Sequence, residues 1–377
     1  MTEQALTAFF EDLHRHPELA MEEVRTTQKV TEMLKGAGIE THPTGLPTGV
    51  IAVIRGSRPG RVIGLRADMD ALPVQEETNL SYASCVPGKM HACGHDFHTA
   101  CMLGAALEIK EREGELQGTV KIAFQPAEEV SVGGRVTAGQ PILQDAEEFY
   151  AAHAYPGFPA GTLGIKPGPV MAAPDAFTVR IQGRGAHGGN PHQGVDPIPA
   201  AAALVLSAQT IISRTKDAFA PAVLSICHLA AGNTWNIVPE EALVEGTVRT
   251  LDQALRKDIR ARLNVMAENV AAAYGCTADI NWQIGPDPVI NDEGLCGQAA
   301  QIARELGMTV ARQDNTMGGE DFSEYLKRCP GVFVRVGTGG GYTNHHPRFT
   351  ADPAALAPAA HFFAELALRR ACAEHHK

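Results

Sequence analysis

Thr119-Val120-Lys121-Ile122-Ala123-Phe124-Gln125-Pro126-Ala127-Glu128-Glu129 is an apolar run that ends in two adjacent carboxylates. Its first six residues read as a buried strand, Thr119–Phe124, because the run is short, largely apolar and closed by a proline. The same design recurs on both sides. Arg61–Ala67 reads as a strand and is followed by Asp68-Met69-Asp70. Phe149–His153 reads as a strand that ends on a histidine, and Val332–Val336 leads through the glycines of 337–341 to His345-His346-Pro347. Helical spacing lies between and before these runs. Leu6, Phe9, Phe10 and Leu13 form one stripe and Thr26–Leu34 another. Met102, Leu103, Ala106, Leu107 and Ile109 form a third, behind Asp96 as the expected N-cap. Alternating strand and helix predict an α/β domain with a largely parallel sheet, completed by a helix near Gly294–Leu306 and another over Pro353–Arg370. In such a sheet, residues just beyond the carboxyl ends of the strands converge on one crevice.

The pattern changes between Pro169 and Pro174. From Ala176 to Ile284 the order is strand (Phe177–Ile181), helix (Pro199–Ser213), strand (Ala222–Leu229), strand (Leu243–Thr250), helix (Gln253–Tyr274) and strand (Thr277–Gln283). This β-α-β-β-α-β order is the ferredoxin-like plan. Proline-rich joints flank it at Pro167, Pro169 and Pro174 and at Pro286 and Pro288. The expected architecture is a discontinuous α/β domain, 1–173 with 287–377, and a smaller inserted α+β domain, 174–286. The chain would cross twice between them, where a hinge is expected.

A net charge of -11 over 377 residues argues against a nucleic-acid partner. The opening Met1-Thr2-Glu3-Gln4 lacks the basic and apolar segments of a leader. The apolar run Ile198–Ile212 is short for a bilayer and is expected as a buried helix, with no membrane partner. The eight cysteines are scattered without a CxxC, which points to reduced thiols and a cytoplasmic protein.

Chemistry-bearing residues cluster at the expected crevice. Cys93 and His95 open a helix, Glu128-Glu129 end one strand, His153 ends another, and His345-His346 follow a third. Thiolate, imidazole and carboxylate together describe a transition-metal site. One of two adjacent carboxylates can bind an ion while its neighbour acts as a base. Of His345 and His346, only one is easily a ligand. Asp68 and Asp70 are read as hydrogen-bonding supports for a ligand histidine. Gly183-Arg184-Gly185-Ala186-His187-Gly188 matches a dinucleotide fingerprint in spacing alone. Prolines delay the following helix and no acidic residue stands near Val205, so it is read as a tight loop presenting His187. No Gly-x-Ser-x-Gly elbow supports a serine hydrolase.

Arg66-Ala67-Asp68-Met69-Asp70-Ala71-Leu72-Pro73, Met90–His95, Phe124–Glu129, Gly183–His187, Asn236-Ile237-Val238-Pro239, Gly246–Thr250, Glu320-Asp321-Phe322 and His345-His346-Pro347 together resemble the amidohydrolase branch of the dinuclear metallopeptidases. That branch includes hippurate hydrolase, bacterial N-acyl-amino-acid hydrolases, N-acetyl-diaminopimelate deacetylase and plant auxin-conjugate hydrolases. The resemblance covers essentially the whole chain, and implies that the split α/β domain is the catalytic, metal-binding one and the inserted ferredoxin-like α+β domain a lid. It implies two divalent ions, Mn²⁺ or Zn²⁺ with Co²⁺ as a further candidate, held by Cys93, His95, Glu129, His153 and His345. It implies Glu128 as general base and then acid, with His187, Asn236 and Arg249 on the lid contacting an N-acyl amino acid. It also implies a homodimer through the lid, or a tetramer, with His187 able to serve the partner's site. Dipeptides and N-acetyl-diaminopimelate are the alternative substrates, and a binding protein that has lost the chemistry is the alternative class. Three positions depart from the family pattern: Phe97 where glycine is common, Asn344 where leucine is usual, and the loop Gly188-Gly189-Asn190.

Overall fold

A computed structural model describes residues 1–372. The described chain forms two compact units, one of Met1–Val170, Ile290–Asp314 and Asp321 onward, the other of Met171–Val289 with Asn315–Glu320.

The first unit is built on an eight-stranded sheet. Its strands include β1 (Glu40–His42), β2 (Val50–Arg55), β3 (Arg58–Asp68), β4 (Gln117–Gln125), β5 (Glu148–Tyr155) and β6 (Thr162–Gly164), with Thr309–Ala311 and Gly331–Gly337. In spatial order they run β1, β2, β4, β3, β5, Gly331–Gly337, β6, Thr309–Ala311. The centre is parallel: β3 lies between β4 and β5, and β5 pairs with Gly331–Gly337. The β1, β2 side is antiparallel. β3 and β4 end in register, with Ala67 opposite Phe124 and Asp68 opposite Gln125. That register sets Asp68-Met69-Asp70 and Glu128-Glu129 at one edge. β1 and β6 carry no readable pattern, since three residues are too few to show alternation.

Three helices bear on that edge: α1 (Glu3–Arg15), α2 (Val24–Gly36) and α3 (His95–Glu111). Thr2 caps α1 through its hydroxyl. α3 is buried almost throughout, from His95 to Ile109. Asp96 is not its N-cap. That position is Gly94, in the left-handed region at φ 88°. A Cβ there would also lie 2.7 Å from the Ala154 methyl, so the turn into α3 is a glycine position on both counts. The Asp96 carboxylate instead turns to His14 of α1, at 2.6 Å from its Nδ1.

The second unit follows the ferredoxin-like plan. Its antiparallel sheet runs Ala222–Ala231, Glu241–Thr250, Ala173–Gln182, Thr277–Gln283. Helices Pro197–Thr210 and Gln253–Ala273 cover one face, burying Ala200, Leu204, Ile259 and Leu263 with Phe177, Val179 and Val244. Asn315–Glu320, expected from the sequence in the split α/β domain, groups with this unit. The Met317 carbonyl accepts a bond from Arg249, and the Gly318 carbonyl one from the Ala172 N–H. The run Ile198–Ile212 is buried on one face only, and Leu206 is 74% exposed. Extended by a π-turn to Thr215, this helix is long and apolar enough to cross a membrane by length and composition. Its packed face belongs to the core of this unit.

His14 is the buried charge that ties α1 to the sheet edge. Burial opposes its charge, but Asp96 and Glu76 outweigh that and push it up to about 9. A raised imidazole stabilises the fold fully below its unfolded value of about 6.5 and loses that contribution as pH rises through about 9. Thermal melts of wild type should therefore fall between pH 6.5 and 9. His14→Gln should flatten that slope, by an amount on the order of 3 kcal/mol. An unchanged slope in the variant would remove His14 as its source.

Candidate metal-binding active site

The site is built outward from β3, β4 and β5. Asp70, just past β3, is 1% exposed. One of its oxygens lies 3.3 Å from His95 Nδ1 and accepts the Glu128 N–H at 3.0 Å. The other accepts the Glu129 N–H at 3.0 Å. With Nδ1 directed at a carboxylate, the lone pair of His95 lies on Nε2. His95 Nε2 faces Glu129 Oε1 at 3.8 Å, and His345 Nε2 lies 3.4 Å from the same oxygen. Cys93 Sγ is 3.6 Å from His153 Nε2, while His153 Nδ1 donates to the Ala154 carbonyl at 3.0 Å. The donor atoms form three overlapping groups: Cys93, His95, His153; Cys93, Glu129, His345; and His95, Glu128, Glu129. Within each group they lie no more than 4.8 Å apart.

Two buried atoms here have no hydrogen-bond partner, His95 Nε2 and Glu129 Oε1. Both are Lewis bases, and they face each other. Buried lone pairs left without a donor are costly, and a cation between them removes the cost. The local field has the same sign. Burial opposes a charge on His95, but Asp68, Cys93 and Asp70 outweigh it and hold the ring well above its ordinary range, so the pocket favours positive charge at Nε2, whether a proton or a metal ion in its place. Burial and the Glu129 charge push the Cys93 thiol up to about 12, so it stays protonated until a metal ion displaces the proton. Burial, with His98 beside it, holds His153 well below its usual value, leaving a neutral ring that can act as a ligand. The donor set of sulfur, nitrogen and oxygen fits divalent transition ions.

A second ring of groups holds these donors. Arg66, fully buried, donates to Asp68 at 2.5 Å, to Gln125 at 3.0 Å and to Asp321 at 2.7 Å. Asp68 in turn bonds His98 Nδ1, and His98 Nε2 accepts the Ala154 N–H at 2.6 Å. The chain Arg66–Asp68–His98–Ala154 thus fixes β5 beside His153. Asp68 Oδ2 lies 3.8 Å from His95 Nε2. His98, Arg66, Gln125 and Asp321 were not singled out from sequence. His98 was findable, because it sits one turn after His95 on the same face of α3. Asn344 has a role here too. Its amide donates to the Cys93 carbonyl at 3.1 Å and the Ala154 carbonyl at 3.2 Å, joining both segments to His345. His345 itself is at φ 69°, a conformation held by its N–H bond to the Ala92 carbonyl.

The remaining candidates, His187, Asn236 and Arg249, belong to the second unit. A short ladder pairs His187 with Ile237. His187 is exposed, and its Nδ1 accepts the Gly189 N–H at 3.0 Å, so the proton of the neutral ring is on Nε2. The departing loop Gly188-Gly189-Asn190 therefore selects this tautomer. The Asn236 side chain accepts a bond from Thr234, and Arg249 Nη1 donates to the Met317 carbonyl at 2.9 Å.

A two-unit α/β chain with thiolate, imidazole and carboxylate donors at its strand ends has the form of a metal-dependent hydrolase. The model of Peptidase family M20/M25/M40 matches residues 64–369, and the chain belongs to that family. It is 44% identical over 358 residues to an N-acetylcysteine deacetylase of Bacillus subtilis (strain 168), covering 95% of this chain and 94% of the relative. It is 41% identical over 286 residues to an N-acyl-L-amino acid amidohydrolase of Geobacillus stearothermophilus, covering 75% and 77%. Among solved structures, the Bacillus subtilis YXEP protein, described as a dinuclear metal binding peptidase from the M20 family, superposes with a TM-score of 0.89. It is 41% identical, with 98% of each chain covered.

His98→Ala should leave Asp68 and the Ala154 N–H each short of one partner. Affinity for Zn²⁺ or Mn²⁺, measured by chelator competition, is expected to fall about 10–100-fold, as for other groups that orient ligands. Unchanged affinity would show that β5 holds His153 without it.

Proposed function

We propose that this chain hydrolyses the amide bond of N-acyl amino acids, releasing a carboxylate and a free amino acid. The observation that carries the reading is the pair of facing, unpartnered bases, His95 Nε2 and Glu129 Oε1, ringed by Cys93, His153 and His345. The names of the relatives, an N-acetylcysteine deacetylase and an N-acyl-L-amino acid amidohydrolase, support the same substrate class. Two divalent ions, Mn²⁺ or Zn²⁺ with Co²⁺ as a further candidate, held by Cys93, His95, Glu129, His153 and His345, would supply Lewis acidity toward water and the amide carbonyl.

The protein's own groups perform the proton and charge work. The Glu128 carboxylate takes a proton from the attacking water and delivers it to the leaving nitrogen. Asp70 holds the Glu128 and Glu129 backbone, so the base and its neighbour are presented together. His187, with its proton on Nε2, donates to the oxyanion of the tetrahedral intermediate. Arg249 takes the substrate carboxylate through two parallel bonds, with Asn236 as a further donor. The same reading carries a homodimer formed through the second unit.

A dipeptide would require an acidic group for its free amine. Two candidate carboxylates are already committed. Asp68 is saturated by Arg66 and His98, and Asp175 by Arg256 and the Gly285 N–H. This favours acylated over free amino groups.

Glu128→Gln should retain both ions and lose turnover by about 10²–10⁴-fold on N-acetyl amino acids, the range expected of a general base. Near-normal turnover would remove Glu128 from that role. Arg249→Ala should raise KM for carboxylate substrates at least about tenfold, the loss of a charge-assisted pair, and change hydrolysis of an uncharged amide much less. Equal effects on both substrates would exclude a carboxylate clamp.

A further inference from the structure

Glu23 is buried with 0% exposure, yet the mechanism above does not use it. It occupies the N-cap position of α2 and makes no capping bond with its side chain. Glu18 caps the helix instead, accepting the Arg25 N–H at 2.9 Å and the Thr26 N–H at 2.8 Å. The Glu23 carboxylate points away from its own helix. One oxygen accepts the Thr48 hydroxyl at 2.7 Å. The other accepts the backbone N–H of Ala127 at 2.8 Å, across 104 residues of sequence.

Ala127 is the residue before Glu128. It sits at φ 58°, in the left-handed region that a residue with a Cβ rarely adopts. Such strain persists only where the surroundings over-determine it. Here the surroundings are two buried carboxylates on opposite sides of one turn. Glu23 takes the N–H of Ala127, and Asp70 takes those of Glu128 and Glu129. Three successive N–H groups are thereby committed, and the two side chains that follow are aimed into the donor cluster.

We propose that Glu23 is a positioning residue for the Glu128-Glu129 turn, holding the strained Ala127 backbone so that base and ligand are presented together. This rests on the hydrolase reading given above. What Glu23 supplies is an acceptor at one place, so shape without an acceptor cannot replace it, and an acceptor of the same length can. A glutamine can accept the Ala127 N–H through its carbonyl and donate its NH₂ to the Thr48 hydroxyl.

The test compares Glu23→Met, Glu23→Gln and Glu23→Asp with wild type and with Glu128→Gln. The readouts are kcat and KM on an N-acetyl amino acid and Zn²⁺ affinity by chelator competition. Glu23→Met should lower kcat about 10–100-fold with KM within about threefold, and weaken Zn²⁺ binding about 10–100-fold. Glu23→Gln should recover both to within a few-fold of wild type. Glu23→Asp keeps the charge but falls one methylene short of Ala127, so it should show the Met signature. It carries the comparison should Glu23→Met not fold. Wild-type kcat and Zn²⁺ affinity in Glu23→Asp, or a loss in Glu23→Gln as deep as in Glu23→Asp, would overturn the proposal. A lowered melting temperature with kcat and affinity unchanged would also overturn it, since that marks a purely structural carboxylate. Inactive wild type, or a fully active Glu128→Gln, would fail the hydrolase reading instead. The Zn²⁺ titrations would still decide the role of Glu23.

Discussion

Asp70 is the group on which the rest of the site depends. Its two oxygens accept the N–H groups of Glu128 and Glu129, and one of them also lies against His95 Nδ1. One buried carboxylate therefore sets the ring orientation of a histidine on α3 and the backbone of a turn after β4. Both are consequences of the parallel register, which ends β3 and β4 at the same level. Shift that register by one residue and the side chains of β4 change faces. The site is thus a property of sheet pairing first and of side-chain identity second.

The electrostatics follow from concentrating bases in a largely buried cluster. Asp68, Asp70, Glu128 and the His95 ring all lie at or below 9% exposure. Arg66 is the fixed countercharge of Asp68 and Asp321, and it also donates to Gln125. Its position opposite Asp68 explains why that carboxyl lies well below its usual range, with burial opposing and Arg66, His95 and His98 prevailing. Arg66 does not reach Glu129 Oε1 or His95 Nε2, which keep unpartnered lone pairs. The chain neutralises the supporting groups and leaves the donor groups short of positive charge. That division separates the supporting groups, which are buried, from a donor set in which Glu129 is partly and His345 largely exposed.

Much of this architecture could be read in the sequence, and the failures have physical causes. Buried parallel strands are apolar runs, so β3, β4, β5 and Gly331–Gly337 stood out with the residues at their ends. The ferredoxin-like order was readable because its strands and helices are long enough to show their periods. Asp96 misled because an aspartate before an apolar helix looks like a cap, and nothing local reveals that its partner is His14, 82 residues away. Glu23 was invisible for a related reason. It bonds a backbone N–H, and a backbone partner has no residue type to recognise. Asn344 could be seen as a departure from the family pattern, but not as a link between Cys93 and Ala154, because its two shorter bonds go to carbonyls.

Two residues of the site itself or beside it, Ala127 and His345, hold left-handed backbone without being glycine. Each costs on the order of 1 kcal/mol or more, and each is held by a hydrogen bond from its own N–H. The Ala127 bond goes to a buried carboxylate and the His345 bond to a backbone carbonyl. In both, an acceptor at one place holds the strained residue; Glu23 is enclosed, whereas the His345 side chain is 55% exposed. Three successive N–H groups hold the turn that carries Glu128 and Glu129, and the His345 backbone is held by its own N–H bond to Ala92.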